Sequence, residues 1–169
     1  MNEKTWLVVM GVSGSGKSTL GEALSKALAL PMIEGDDHHP PANHEKMSKG
    51  IALTDADRAG WLDALGKALA AERNGAVLAS SALKRAYRDQ LRAAVPDLKF
   101  VFMEIDREES ERRVASRAGA HIFPASLVAS QFETLESPVD EPGVITVDAT
   151  QPVEELVAQV RRALSSARG

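Results

Sequence analysis

Short apolar runs of strand length alternate along this chain with longer segments whose apolar residues recur every three or four positions. This alternation is typical of α/β proteins, because helices connect the successive strands of a parallel sheet. Neither an internal repeat nor a low-complexity linker interrupts it, so we expect one domain over residues 1–169. The predicted strands span residues 6–10, 31–34, 76–80, 99–105 and 143–147.

The periodic segments predict helices that each bury one apolar face. Trp61, Leu62 and Leu65 fall on one stripe of the clearest segment, and we expect this stripe to pack in the core rather than to bind a ligand. The last helix follows Pro152, a residue favoured in the first turn. The other predicted helices span residues 17–30, 55–73, 83–95, 108–117 and 125–135.

The composition is that of an ordinary soluble globular protein: 44% of the 169 residues are hydrophobic, 26% are charged, and the formal net charge is −4. The absence of cysteine excludes disulfides, thiolate catalysis and cysteine-ligated metal clusters. The first apolar run is too short for a signal peptide or a membrane span, so we expect a cytoplasmic protein. An isoelectric point near 5.6 argues against nucleic acid or an anionic membrane as partner.

The strongest motif directly follows the first predicted strand, where residues 11–18 (GVSGSGKS) match the pattern GxxxxGK[ST] and open a helix. Glycines let such a loop curl until its backbone N–H groups point at phosphate oxygens, while Lys17 reaches the terminal phosphates and Ser18 can ligate Mg²⁺. The motif therefore predicts binding of ATP or GTP. The predicted nucleotide-binding residues are Gly11, Val12, Ser13, Gly14, Ser15, Gly16, Lys17, Ser18 and Thr19.

Other motifs narrow the class of nucleotide-binding protein. The chain has neither the Asn-Lys-x-Asp motif of GTPase switches nor the Leu-Ser-Gly-Gly-Gln signature of transporters. Residues 100–106 end on Asp106 and could form a Walker B strand. We favour a buried structural strand, because apolar residues followed by an acid are typical of any strand that leaves the core.

An acidic cluster with histidines follows the second predicted strand, at the edge where open α/β sheets bind ligands. Asp36 is the candidate base, because a carboxylate near the transferring phosphoryl group can accept the proton of an attacking hydroxyl. His39 and its neighbouring histidines lack a zinc-ligand spacing, so we expect hydrogen bonds to a polyol instead. Arg58 further along suits a bidentate clamp on a substrate carboxylate.

Two further segments supply hydroxyls and cations. Ser81 and Lys84 lie where the third predicted strand runs into a helix, which favours an anion-binding site. Arg113 and Arg117 are four residues apart on one helical face, and we expect them to act over the transferring phosphoryl group as part of a lid at about residues 108–124.

Together these residues resemble the gluconokinase family of small P-loop kinases, which is similar in fold to shikimate kinase and adenylate kinase. The resemblance runs nearly end to end and is carried by GVSGSGKSTLG at 11–21, GDDHHPPANHEKMSKGIALTDADRAGWL at 35–62, SSALKRAYRDQLR at 80–92 and SQFETLE at 130–136. It implies a three-layer α/β/α P-loop kinase with a five-stranded parallel sheet and a helical lid. It further implies Mg²⁺-dependent transfer of the ATP γ-phosphoryl group to the 6-hydroxyl of D-gluconate, usually in a homodimer.

The family pattern also implies residue roles. Lys17, Ser18 and Thr19 would contact phosphate and metal, with Ser18 as the metal ligand, and Asp36 would contact the acceptor hydroxyl. The gluconate pocket would contain His39, Arg58 and Lys84, and the lid Arg113 and Arg117. Two departures stand out: the loop before His121 is one residue longer than is common, and Glu34 stands where an aspartate is common.

The residues alone are also consistent with two other functions. A kinase for another small anionic acceptor, such as shikimate, would need the same acids and cations. A regulatory module that binds a nucleotide without turnover would also keep the phosphate loop.

Overall fold

A computed structural model of the protein describes residues 4–116 and 126–168, without the side chains of residues 36, 126, 127, 167 and 168. Five strands form one parallel sheet in the order β2-β3-β1-β4-β5. The strands are β1 Thr5–Met10, β2 Met32–Glu34, β3 Gly75–Ala79, β4 Lys99–Glu104 and β5 Val144–Asp148. The helices of the described residues are α1 Lys17–Leu28, α2 Pro41–Ser48, α3 Asp55–Ala71, α4 Arg85–Ala94, α5 Arg107–Ser116, α6 Ser126–Thr134 and α7 Val153–Arg168, with a 3₁₀ turn at Gly35–His38.

The sheet has an apolar cluster on each face, which gives three layers. On one face the sheet packs against α3 and α4, through side chains such as Leu65 and Leu91. On the other face it packs against α1 and α7, through side chains such as Leu24 and Val160. The three central strands β3, β1 and β4 are largely buried on both faces, as parallel strands are, and their near-continuous apolar sequences follow from that.

The boundaries expected from the sequence agree with the structure to within a few residues, and among the described residues α2 is the one α-helix that was missed. Its only buried residue is Asn43, so it carries no apolar stripe that a periodicity could reveal. A proline in its first turn is the local signal for its start.

The end of β4 is structural, as expected. Asp106 accepts a hydrogen bond from the Glu109 backbone N–H at 2.8 Å and so caps the start of α5. No helix in the described parts of the chain is both long enough and apolar enough to cross a membrane.

Candidate active site

The phosphate loop connects β1 to α1 at the carboxyl ends of the parallel strands. Gly14 has a φ of 81°, and a side chain there would come within 3.0 Å of the Ser110 carbonyl oxygen in α5. Gly16 is the N-cap of α1, so the first backbone N–H groups of that helix lie at the loop. The loop therefore has the geometry of a phosphate cradle.

The side chain of Lys17 folds back across the loop. Its Nζ donates to the Val12 carbonyl oxygen at 3.2 Å, and the Ser15 hydroxyl donates to the same oxygen at 2.7 Å. These two hydrogen bonds fix the curl of the loop and hold the ammonium group beside its first half. A cation at this place can meet the terminal phosphates of a nucleotide.

Ser18 and Glu34 bring two oxygen ligands together beside the loop. The Ser18 hydroxyl donates to Glu34 Oε2 at 2.6 Å. Within the described residues no three His, Cys, Asp or Glu side chains are grouped so that they could hold a metal ion. Mg²⁺ fits this donor set, because it prefers oxygen and is usually bound by one or two protein groups together with water and substrate phosphates.

A cavity of about 340 Å³ extends from the phosphate loop to α2 and the end of β3. Ser81, His39 and Arg58 give its far wall hydrogen-bonding groups, and Met47 and Leu53 add apolar surface. Its volume lies within the usual range for small-molecule sites. Of the predicted nucleotide-binding residues, the cavity is lined by Ser13, Gly14, Gly16, Lys17, Ser18 and Thr19, whereas Gly11, Val12 and Ser15 are buried beneath them.

The 3₁₀ turn places the backbone of Asp36 beside the end of β3. A side chain on Gly35 would come within 2.5 Å of the Ala79 carbonyl oxygen and 3.2 Å of Ser80 Cβ, so glycine permits this close approach. The Gly35 carbonyl oxygen also accepts a hydrogen bond from Trp61 Nε1 at 2.8 Å. The side chain of Asp36 is not among the described ones, and its predicted role as base stays a prediction.

His39 is buried in the cavity wall and held in one orientation. Its ring stacks on Trp61 with centroids 4.1 Å apart, and its Nδ1 lies 3.1 Å from Asn43 Nδ2. The same Asn43 nitrogen donates to the Asp57 carbonyl oxygen, so it is a donor and Nδ1 is the acceptor. In a neutral imidazole this contact places the proton on Nε2.

Arg58 lines the cavity and is oriented by two oxygens. Its Nη1 donates to the Leu53 carbonyl oxygen at 3.0 Å and to the Tyr87 hydroxyl at 3.3 Å. These contacts use one of the two terminal nitrogens of the guanidinium group. The site therefore contains the oriented cation that an acceptor carboxylate requires.

Lys84 does not line the cavity, although the sequence places it near the substrate. Its Nζ lies 3.0 Å from Asp55 Oδ1, and Tyr87 donates to the same carboxylate. Hydrogen bonds from Tyr87 and Lys84 lower the pKa of Asp55, and the carboxylate raises the pKa of Lys84 in return. Burial and the hydrogen bond to Asp55 raise the pKa of Tyr87. Lys84 and Asp55 therefore both stay charged over a wide pH range.

The guanidinium group of Arg113 contacts the backbone of the phosphate loop. Its Nη1 donates to the Gly14 carbonyl oxygen at 3.0 Å, its Nη2 to the Ala149 carbonyl oxygen at 3.1 Å, and its Nε to Glu109 at 2.8 Å. Arg113 is thus joined to the loop but is not part of the cavity wall. Arg117, His121 and the rest of the predicted lid after residue 116 lie outside the described residues.

Arg88 has a structural role that the sequence did not reveal. Its side chain is fully buried, forms an ion pair with Glu141 at 2.6 Å, and donates to the carbonyl oxygens of Ala82 and Glu136 at 2.8 Å. Arg88 is therefore part of the protein's interior and does not contribute to an anion site beside Lys84. Its partners lie up to 53 residues away, so no local pattern could have identified it.

Ser80 and Gln131 are among the cavity residues that were not predicted from the sequence. Ser80 is 2% exposed, and its hydroxyl has no hydrogen-bond partner among the described residues. Gln131 of α6 accepts a hydrogen bond from the Ser13 backbone N–H. Both belong to motifs already noted, SSALK and SQFETLE, but a residue's position in a motif does not indicate which way its side chain points.

Comparisons with known proteins agree with this site. A family model described as an AAA domain matches residues 7–142. A gluconokinase from Gluconobacter oxydans (strain 621H) is 46% identical over 161 residues, which cover 93% of this chain and 89% of that protein. The crystal structure of a gluconokinase from Sinorhizobium meliloti 1021 is also 46% identical, with a TM-score of 0.90 over 99% of this chain and 95% of that one.

A more distant structure bears on the fold alone. Shikimate kinase from Aquifex aeolicus vf5 is 16% identical, with a TM-score of 0.63 over 97% of this chain and 98% of that one. Together with the five-stranded parallel sheet, these similarities confirm the expected α/β P-loop kinase fold.

Proposed function

Because this chain belongs to the gluconokinase family, and its residues 7–142 to the AAA domain family, we propose that it transfers the γ-phosphoryl group of ATP to the 6-hydroxyl of D-gluconate. The product is 6-phospho-D-gluconate, and the enzyme is a phosphotransferase with an alcohol group as acceptor. The observation that carries the proposal is one continuous cavity, with the phosphate loop at one end and the Arg58 wall at the other.

ATP is held at the phosphate-loop end. Backbone N–H groups of the loop bind the phosphate oxygens, and Lys17 offsets the charge of the terminal phosphates. Arg113 supports this end by holding the Gly14 carbonyl oxygen on the side of the loop where α5 lies. Arg117 is proposed to add a second positive charge over the transferring group.

Gluconate is held at the far wall. The guanidinium of Arg58 pairs with its carboxylate, and His39 and Ser81 form hydrogen bonds with its hydroxyls. Lys84 lies further out and contributes positive charge next to Arg58 while it stays paired with Asp55. Ordering both ends of the acceptor places its 6-hydroxyl in line with the γ-phosphoryl group, and positioning of this kind is a large part of catalysis.

Asp36 is proposed to accept the proton of the 6-hydroxyl as the reaction proceeds. The oxygen at carbon 6 forms a bond to the γ-phosphorus, and the bond from that phosphorus to the β,γ-bridging oxygen breaks. ADP leaves with the electron pair of the broken bond. The chain's residues mainly position the reactants and offset negative charge.

Mg²⁺ is proposed as the metal, with Ser18 as its protein ligand. Glu34 would accept hydrogen bonds from the surrounding waters. Its side chain is longer than that of the aspartate common in the family, and it reaches the Ser18 hydroxyl. When bound, the ion offsets the negative charge of the β- and γ-phosphates.

Further proposals concern the whole protein. We propose that the chain acts as one kinase domain with a lid at about residues 108–124. A homodimer in the cytoplasm is proposed from the family resemblance, with neither nucleic acid nor membrane as partner. Size-exclusion chromatography with light scattering tests the dimer directly.

A coupled assay of ADP release tests the activity itself. The purified protein is incubated with ATP and D-gluconate, with and without Mg²⁺, alongside shikimate and other sugar acids. We expect release of ADP that requires both gluconate and Mg²⁺. Release with shikimate alone would instead indicate a kinase for another acceptor, and nucleotide binding with no responsive acceptor would indicate a regulatory module.

A further inference from the structure

Gln131 connects α6 to the phosphate loop. The Ser13 backbone N–H donates to Gln131 Oε1 at 2.6 Å, across 118 residues of sequence. Gln131 also lines the same cavity as Lys17 and Ser18. Its side chain therefore lies in the nucleotide-binding region rather than on the outside of the molecule.

The hydrogen bond from Ser13 determines which way the amide of Gln131 faces. A backbone N–H can only donate, so the side-chain atom that meets it is the oxygen. The amide nitrogen Nε2 then carries its two N–H groups on the other side of the side-chain carbonyl. Within the described residues, Nε2 has no hydrogen-bond acceptor.

Lys17 indicates which part of the nucleotide lies near this amide. Its Nζ is 3.2 Å from the Val12 carbonyl oxygen, directly before Ser13 in the chain. A lysine of this motif contacts the terminal phosphates of the nucleotide. With Lys17 in this position, a bound nucleotide would have its terminal phosphoryl group near the Val12 and Ser13 part of the loop, which is also where Gln131 is held.

The helix that carries Gln131 is fixed at its C-terminal end. The Glu136 backbone N–H donates to the Leu83 carbonyl oxygen at 2.8 Å, and the Glu136 side chain accepts from the Arg85 backbone N–H at 2.8 Å. Val128 in the same helix is fully buried. A side chain on so well anchored an element can hold a donor in place before the substrate arrives, as transition-state stabilisation requires.

We infer that Gln131 is a further catalytic residue, whose Nε2 donates a hydrogen bond to an oxygen of the γ-phosphoryl group during transfer. Ser13 orients the amide through Oε1, and the contact offsets charge on the three oxygens of the transferring group. No bond to Gln131 forms or breaks. The part of this inference that concerns turnover rests on the proposed function, because turnover needs the acceptor. The part that concerns nucleotide binding does not depend on the acceptor.

The substitutions Gln131→Glu and Gln131→Met separate this role from a purely structural one. Glutamate keeps an oxygen for the Ser13 N–H but replaces the donor with negative charge. Methionine has a similar length and offers neither group. If Gln131 only ties α6 to the loop, Gln131→Glu should behave like the wild type and Gln131→Met should be impaired.

Nucleotide binding is measured by calorimetry with ADP and with the β,γ-imido analogue of ATP, without any acceptor. We expect both variants to bind ADP within about twofold of the wild type, because ADP lacks the γ-phosphoryl group. We expect Gln131→Glu to bind the analogue about tenfold or more weakly, a loss typical of a charge-assisted contact turned repulsive. Turnover with gluconate should fall about 100-fold, by analogy with removal of one transition-state donor.

Equal binding of the analogue by the wild type and Gln131→Glu would overturn the inference, and so would an equal loss for ADP and the analogue. The control is Gln90→Glu, the same change at an exposed position of α4, where the side-chain amide donates to the Ala59 carbonyl oxygen at 3.2 Å. Circular dichroism checks that each variant folds. Because the binding comparison needs no acceptor, it stays decisive even if gluconate proves not to be the substrate.

Discussion

Lys84 Nζ lies 3.0 Å from Asp55 Oδ1, so the lysine expected in the gluconate pocket already pairs with a carboxylate of the protein. The Asp55 side chain is largely exposed, and exposed pairs of this kind contribute at most about 1 kcal/mol. An ammonium group has three donors, so Lys84 can keep Asp55 and still attract an anion. The pair holds the ammonium group of Lys84 near Arg58 without blocking the cavity.

Replacing Lys84 and Asp55 separately distinguishes binding of the substrate from formation of the pair. Lys84→Met should raise the KM for gluconate severalfold while the KM for ATP stays within about twofold, because one positive charge near the acceptor is lost. Asp55→Asn should leave the KM for gluconate unchanged or lower it, because Lys84 then has no competing carboxylate. Steady-state kinetics with each substrate varied measures both, and equal increases in the two variants would mean that Lys84 serves only the pair.

Asp36→Asn tests the proposed base. Asparagine keeps the size of the side chain but cannot accept the hydroxyl proton, so kcat should fall by about 10²- to 10⁴-fold. ATP affinity should survive, because the phosphate loop is untouched. The matched control is Asp37→Asn, one residue along and exposed, for which near-normal kcat is expected. A near-normal kcat for Asp36→Asn as well would rule out its catalytic role.

Much of the fold and part of the site could be predicted from the sequence, for physical reasons that differ by element. Buried parallel strands must be apolar throughout, so β1 and β4 are recognisable from composition alone. The phosphate loop is local, because its glycines, Lys17 and Ser18 act within one turn of chain. Helix α2 has no such signal, since only Asn43 of its residues is buried.

Contacts between distant segments could not be predicted. Arg113 belongs to a charged helix whose sequence is that of a solvated surface, yet it contacts the phosphate loop 99 residues earlier. Gln131 reaches Ser13 across a still longer separation. Such contacts depend on how α5 and α6 pack against the loop, and a single sequence does not encode that packing as a local pattern.

The start of α3 beside the cavity should show a measurable pH dependence. The pKa of Asp57 is lowered from 3.8 to about 2, mainly by its hydrogen bond with Lys46 and also by the Thr54 backbone N–H. A carboxyl with a lowered pKa stabilises the folded state above its unfolded pKa, and this contribution is lost as pH falls from about 4 to about 2. The urea midpoint of Asp57→Asn should therefore lie below that of the wild type at pH 6, and the gap should narrow towards pH 3.

The control for Asp57 is Asp63→Asn, which removes one exposed carboxylate from the same helix. A gap between Asp57→Asn and the wild type that stays constant from pH 6 to pH 3 would contradict the ion-pair explanation. It would indicate that asparagine changes the cap of α3 by its shape rather than by its charge.

Glu141 is predicted to stabilise the acceptor wall of the site through a buried ion pair. It pairs with the fully buried Arg88, which in turn holds the carbonyl oxygens of Ala82 and Glu136 at the edge of the acceptor wall. Glu141→Ala leaves a buried guanidinium without its carboxylate, and loss of one partner of such a pair costs about 3–5 kcal/mol. Urea denaturation at pH 7 measures the change in the free energy of unfolding.

A double variant sharpens this last prediction. Arg88→Met together with Glu141→Ala removes both charges, so it should be more stable than Glu141→Ala alone, because no unpaired charge stays buried. Arg88 lowers the pKa of Glu141, so the stabilisation is fully present at neutral pH and is lost as pH falls through that lowered pKa. Glu133→Ala, an exposed position on α6, controls for loss of a carboxylate. A loss below about 1 kcal/mol for Glu141→Ala, the range of exposed ion pairs, would show that the pair does not hold the wall in place.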